Sequence, residues 1–217
     1  MTHASRTATT IVGFGRVGVG TLVVAVLAYA YAARFTVGDG NPFDYFGYFT
    51  NLTSVLTCVV LIATGVVMIA GRRVPAWFTL CRGVATACLL IVAVVYNVLV
   101  PGTGSAPLWV SILLHGVFPI AVFLDWLLIG DRPALPWRGL WIVLPYPILW
   151  LTVVLIRGVT DGWVPYGFLL PERGAASLVV HIGGLLGTLL AAGALVWAAS
   201  RWRGLSRAGG EHSPIPG

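Results

Sequence analysis

Six stretches of about 20 nearly uncharged residues, at about 14–33, 48–70, 79–100, 107–129, 138–157 and 177–199, leave this chain few ways to fold. A helix rising 1.5 Å per residue needs about 20 apolar residues to cross the roughly 30 Å hydrocarbon core of a bilayer. Within lipid only helices and closed barrels satisfy their own backbone hydrogen bonds. The expected fold is therefore an all-α membrane protein, a single domain over residues 1–200 with six transmembrane helices, then a disordered cytoplasmic tail at 201–217. Only 9% of residues are charged, against roughly a quarter in a soluble domain. That is too little polar surface to face water, so bilayer lipids are the expected solvent and the cell membrane, crossed several times, the expected location.

All 13 basic residues are arginines, and most flank the apolar runs. Ten (Arg6, Arg16, Arg72, Arg73, Arg82, Arg132, Arg138, Arg201, Arg203, Arg207) fall at one set of helix ends. Arg16 and Arg82 lie just inside theirs. Three (Arg34, Arg157, Arg173) fall at the other, diluted by Asp39, Asp44, Asp161 and Glu172. By the positive-inside rule both termini are cytoplasmic. The same pattern reads as topology signalling and headgroup contact, and no nucleic-acid partner is expected. An Ala30-Tyr31-Ala32 cleavage-like site follows the first run, but that run is too long for a signal peptide and is read as an uncleaved helix. "GFGRVG" at 13–18 spells a dinucleotide fingerprint without the strand that motif requires. Its glycines, with Gly183 and Gly187, read as close helix packing. Cys58, Cys81 and Cys88 form no CxxC pair and read as small buried side chains, so no metal site and no cofactor are expected.

Polar side chains at membrane depth are the functional candidates, because burying them there is costly. His115 lies about eight residues, or roughly 12 Å, into the fourth helix. Thr50 and Asn51 open the second helix, and Thr53, Ser54 and Thr57 continue a polar stripe at helical spacing. Tyr96 and Asn97 close the third helix, Tyr146 belongs to the fifth, and His181 opens the sixth. All fall in the outer half. Pro119 removes the hydrogen bond to the carbonyl of His115, and Pro145 and Pro147 do the same for Trp141 and Val143. Broken helices beside polar groups predict an internal polar cavity in the outer half. Asp125, ten residues past His115, falls on another face and is not its partner. Trp77, Trp109, Trp137, Trp163, Tyr166 and Trp202 read as interfacial anchors.

"YFTNLTSVL" in the second helix, "LLHGVFPIAVFLDW" in the fourth and "YPILWLTVVLIRGVTDGWVPYGFL" after it resemble the androgen-induced and androgen-dependent membrane proteins. The similarity covers roughly residues 45–170, in the same order, and the chain looks like a bacterial member. It departs from the family pattern at Asn51, Pro119 and Asp125-Trp126. The resemblance implies a six-helix threonine hydrolase cleaving fatty acid esters of hydroxy fatty acids, with Thr50 of "YFT" as nucleophile and His115 of "HG" as base.

The implied chemistry is acyl transfer to Thr50, with neutral His115 taking its proton and a lipid ester as substrate. Asn51, Thr53, Tyr96, Asn97, Tyr146, Trp150 and His181 are the candidates for binding substrate or its oxyanion. Two other readings use the same residues. One is a non-catalytic lipid-binding protein or transporter. The other is a redox protein holding haem between His115 and His181.

Overall fold

The positions of proline and glycine, more than propensity, decide where these helices stop. The computed structural model describes residues 3–103, 106–202 and 204–205. Within them lie six helices long and apolar enough to cross a membrane. They are α1 (His3–Phe35), α2 (Phe49–Ile69), α3 (Ala76–Leu99), α4 (Leu108–Leu128), α5 (Trp137–Thr160) and α6 (Ala175–Ala199). A short helical turn, Pro42–Tyr45, bridges α1 and α2, and the Asn41 side chain accepts from Phe43 N–H at its start. α1 begins some ten residues before its apolar run, because nothing in "SRTATTIV" breaks a helix. The tail from residue 206, with Arg207, and also Arg203 lie outside the described residues.

α1 and α2 approach most closely at a pair of glycines. A Cβ on Gly13 would sit 2.9 Å from the carbonyl oxygen of Gly65, and one on Gly65 would sit 2.6 Å from that of Gly13. Gly15, Gly18, Gly183 and Gly187 meet nothing within 4 Å, so of the glycines expected to pack only Gly13 does so. The core divides between α1, α2 and α4 on one side, around Leu27, Cys58 and Phe118, and α3, α4, α5 and α6 on the other, around Trp126 and Trp197.

The end of the bundle nearest the two termini is closed by charge. Arg16 of α1 and Arg82 of α3, each 3% exposed, meet Asp125 of α4 and Asp131 just beyond it. Arg16 donates to both oxygens of Asp125 (3.0 and 3.1 Å) and to Asp131. Arg82 donates to Asp125 at 2.9 Å and to Asp131 at 3.0 Å. Met68 Sδ accepts a further bond from Arg16. These two arginines are thus not headgroup contacts but members of a charge-balanced quartet in which Asp125 alone is partly exposed to its surroundings and the other three side chains are buried. Arg132 and Arg201 donate to Ala199 and Trp197 carbonyls and so cap the C-terminus of α6, where cations are favoured.

Removing one member leaves a buried charge uncompensated, at a cost of roughly 3–5 kcal/mol. Arg82→Leu and Asp131→Leu should each lower the thermal midpoint in detergent micelles, and the double variant, which keeps the Arg16–Asp125 pair neutral, should lower it less than the two singles summed. Simple additivity would contradict the quartet. Burial alone would raise the Asp131 carboxyl, but Arg82 and Arg16 outweigh it and hold it at about 2. A carboxyl held below its unfolded value near 3.9 contributes stability above about pH 4 that is lost as pH falls through about 2. Acid unfolding in that window should be shallower in the double variant than in the wild type.

Candidate active site

Thr50 is the second residue of α2. The first bond inside that helix runs from Leu52 N–H to the Tyr48 carbonyl, which leaves the N–H groups of Phe49, Thr50 and Asn51 without helical partners. The polar stripe below Thr50 faces the bundle, and Thr53, Ser54 and Thr57 are all buried. Thr57 bonds back to the Thr53 carbonyl at 2.8 Å, the ordinary way for a threonine to satisfy itself in a helix. Thr50 makes no such bond: its Oγ1 lies 3.3 Å from Nε2 of His115, across the α2–α4 contact.

α4 is not a uniform helix. Pro119 has no N–H for the preceding turn, and residues Leu113–Val117 widen into a π-helical turn. The carbonyl of His115, which Pro119 cannot serve, accepts from Asn97 Nδ2 at 3.2 Å. The expected kink is therefore a π turn, with its exposed acceptor taken up by α3. Across the ring, Nδ1 of His115 is 2.9 Å from the Ser111 carbonyl oxygen. A carbonyl only accepts, so Nδ1 carries the hydrogen. In neutral histidine that leaves Nε2 with its lone pair aimed at the Thr50 hydroxyl. Tyr96 stacks on the imidazole face at 3.6 Å, only 12° from parallel. Tautomer and ring plane are thus set by a backbone carbonyl and an aromatic face in place of the carboxylate found in catalytic triads.

Thr50 and His115 line a cavity of about 660 Å³ at the end of the bundle away from the termini. Asn51, Tyr96 and His181 share its wall, as do Arg34, Asp39 and Ser111. Asn51 gives one amide hydrogen to the Tyr45 carbonyl at 2.8 Å. His181 holds Nδ1 against the Ser177 carbonyl at 2.8 Å and stacks on Phe168. Four expected members stand elsewhere. Asn97 commits both amide hydrogens, to Ala93 and His115 carbonyls, and does not line the cavity. Thr53 and Tyr146 bond each other at 2.9 Å one turn deeper and line neither cavity wall nor dyad. Trp150 donates its indole N–H to Gly47 at 2.8 Å and packs edge-on against Phe49, bracing the start of α2.

Pro145 and Pro147 do not open a helix onto the cavity either. Trp137–Val143 is 3₁₀-helical, Leu144 N–H closes onto the Trp141 carbonyl, and Pro145 begins the α-helical part of α5. Proline in the first turn lacks only an N–H that has no partner there. Tyr166, read above as an interfacial anchor, lines the cavity beside Thr50. Burial pushes its phenol up to about 12, while the nearby Thr50 hydroxyl and the N–H groups of Thr50 and Phe49 act in the opposite direction. The sequence signal for it was "VPYGF", a Pro/Gly-bounded aromatic turn far from Thr50 along the chain. Trp77, Trp109, Trp137 and Trp202 are exposed as anchors should be. His115 and His181 line one cavity, each with Nδ1 against a carbonyl of its own helix, and Nε2 of His115 faces Thr50.

No family model, curated protein or solved structure matches this chain.

Asn97→Leu leaves the His115 carbonyl without its partner, at about 1–3 kcal/mol. Hydrogen–deuterium exchange should then quicken in peptides spanning 108–120 while those of α2 stay as in the wild type. Unchanged exchange across 108–120 would mean that Asn97 does not hold the π turn.

Proposed function

We propose that the chain is an intramembrane threonine hydrolase of a lipid ester, with fatty acid esters of hydroxy fatty acids as the class its family resemblance suggests. One observation carries the reading: a buried threonine hydroxyl 3.3 Å from the lone-pair nitrogen of a histidine whose tautomer a backbone carbonyl sets, on the wall of a cavity large enough for a lipid. In the proposed cycle Oγ1 of Thr50 attacks the ester carbonyl as its proton passes to Nε2 of His115. The oxyanion is met by the N–H groups at the start of α2 that have no helical partner and that face the Tyr166 hydroxyl, with Asn51 beside them. Nε2 returns the proton to the departing alcohol, and water repeats the sequence to release the acid and free Thr50. The arginine distribution supports cytoplasmic termini, which would put the cavity in the outer half of the cell membrane.

A non-catalytic lipid-binding protein or transporter is the second reading. It is favoured by the shape of the bundle, a cavity at one end and an ion-paired quartet closing the other. Covalent chemistry separates the two. A fluorophosphonate should label the purified protein at Thr50. Thr50→Ala should abolish labelling and ester turnover, and His115→Ala should lower both by about 10²–10⁴-fold with the thermal midpoint retained. Equal labelling in Thr50→Ala would remove Thr50 as nucleophile, and no labelling of the wild type would favour the binding protein.

A further inference from the structure

Thr50 stands on a wall shared by two cavities of opposite character. The larger holds His115, Ser111, Asn51, Arg34, Asp39 and His181. The second is a narrow slot of about 60 Å³ between α3, α5 and α6, lined by Ile91, Val95, Pro147, Leu151, Leu185 and Leu189. Thr50, Tyr96 and Tyr166 line both, whereas His115 lines only the larger. The slot holds no ionisable group beyond those two shared tyrosines, and the one indole N–H on its wall, from Trp150, is bonded to Gly47. No water-seeking headgroup is served there. A single unbranched hydrocarbon chain is.

The position of His115 fixes which half of an ester goes where. Taking the hydrolase reading as given, the proton that leaves Thr50 Oγ1 for Nε2 has to return to the alcohol oxygen as the acyl C–O bond breaks. That oxygen therefore departs on the His115 side, into the larger cavity. The acyl carbon, now bonded to Oγ1, keeps its chain on the opposite side of Thr50. We propose that the slot between α3, α5 and α6 is the acyl pocket of the enzyme, taking one linear acyl chain, while the larger polar cavity takes the alcohol half. Acyl-chain length is then set by side chains of the slot that never touch the reacting atoms, Leu151 and Leu185 among them. The alcohol half is free to be bulky or polar.

Two esters that each carry one twelve-carbon chain distinguish the halves: methyl dodecanoate, with the chain on the acyl side, and dodecyl acetate, with it on the alcohol side. Leu151→Trp and Leu185→Trp fill the slot from separate helices at half-buried positions, so that both variants failing to fold is avoided. The expected result in detergent-solubilised full-length protein is a loss of about tenfold or more in kcat/KM for methyl dodecanoate, with dodecyl acetate little changed. Labelling of Thr50 by a methyl fluorophosphonate, which has no chain to place, should persist in both variants. A loss confined to dodecyl acetate, equal losses on both esters in protein that still labels, or no loss on either would each overturn the acyl-pocket assignment. If the wild type neither labels nor cleaves either ester, the hydrolase reading beneath it fails instead.

Discussion

Hydrocarbon offers no hydrogen bonds, so a polar atom carried into the bundle is costly unless it finds a partner there, and few in the described residues go without, Ser54 Oγ among them. That constraint links features that look separate along the chain. Pro119 withdraws an N–H from the fourth helix, the turn widens, and Asn97 reaches over from the third helix to take the stranded carbonyl of His115. Nδ1 of the same residue turns back onto Ser111, and only then is Nε2 left facing Thr50. The dyad is what remains once the carbonyls of His115 and Ser111 have their partners.

The two ends of the bundle solve the constraint differently. At one, four ionised side chains from α1, α3, α4 and the following loop neutralise one another. At the other, neutral polar groups line open space together with the Arg34–Asp39 ion pair, and Arg157–Asp44 forms a second pair. A rigid closed end lets the open end carry a cavity and an irregular helix without the bundle losing its register.

Helix number and, apart from the early start of α1, helix bounds to within a few residues were legible in the sequence, because apolar run length is a local property. His115 stood out by the cost of burying it, whereas its pairing with Thr50 came with the family resemblance. The exclusion of Asp125 from the histidine was legible too, since a ten-residue offset changes helix face. What took Asp125 up was not. Arg16 and Arg82 sit near helix ends, where arginines ordinarily meet headgroups, and nothing local says that two of them turn inward together. Asn97 and Tyr146 carried the right residue types at the right depth, but Asn97 spends its amide hydrogens on carbonyls of its own helix and of α4, and the Tyr146 hydroxyl is engaged with Thr53. Tyr166 was hidden because its loop folds back onto α2 from more than a hundred residues away.

The quartet also bears on how such a chain can change over time. Its charge cancels only as a set, so losing one arginine or one aspartate strands its partners in a place where no solvent can rescue them. Drift at these four positions should therefore come in compensating pairs, an acid lost with a base, and a related chain lacking Arg16 would be expected to have replaced Asp125 or Asp131 as well. The threonine and histidine at the far end carry no such bond to one another's fate: either can be exchanged and leave a folded, inert membrane protein behind. Chemistry in this architecture is easier to lose than shape.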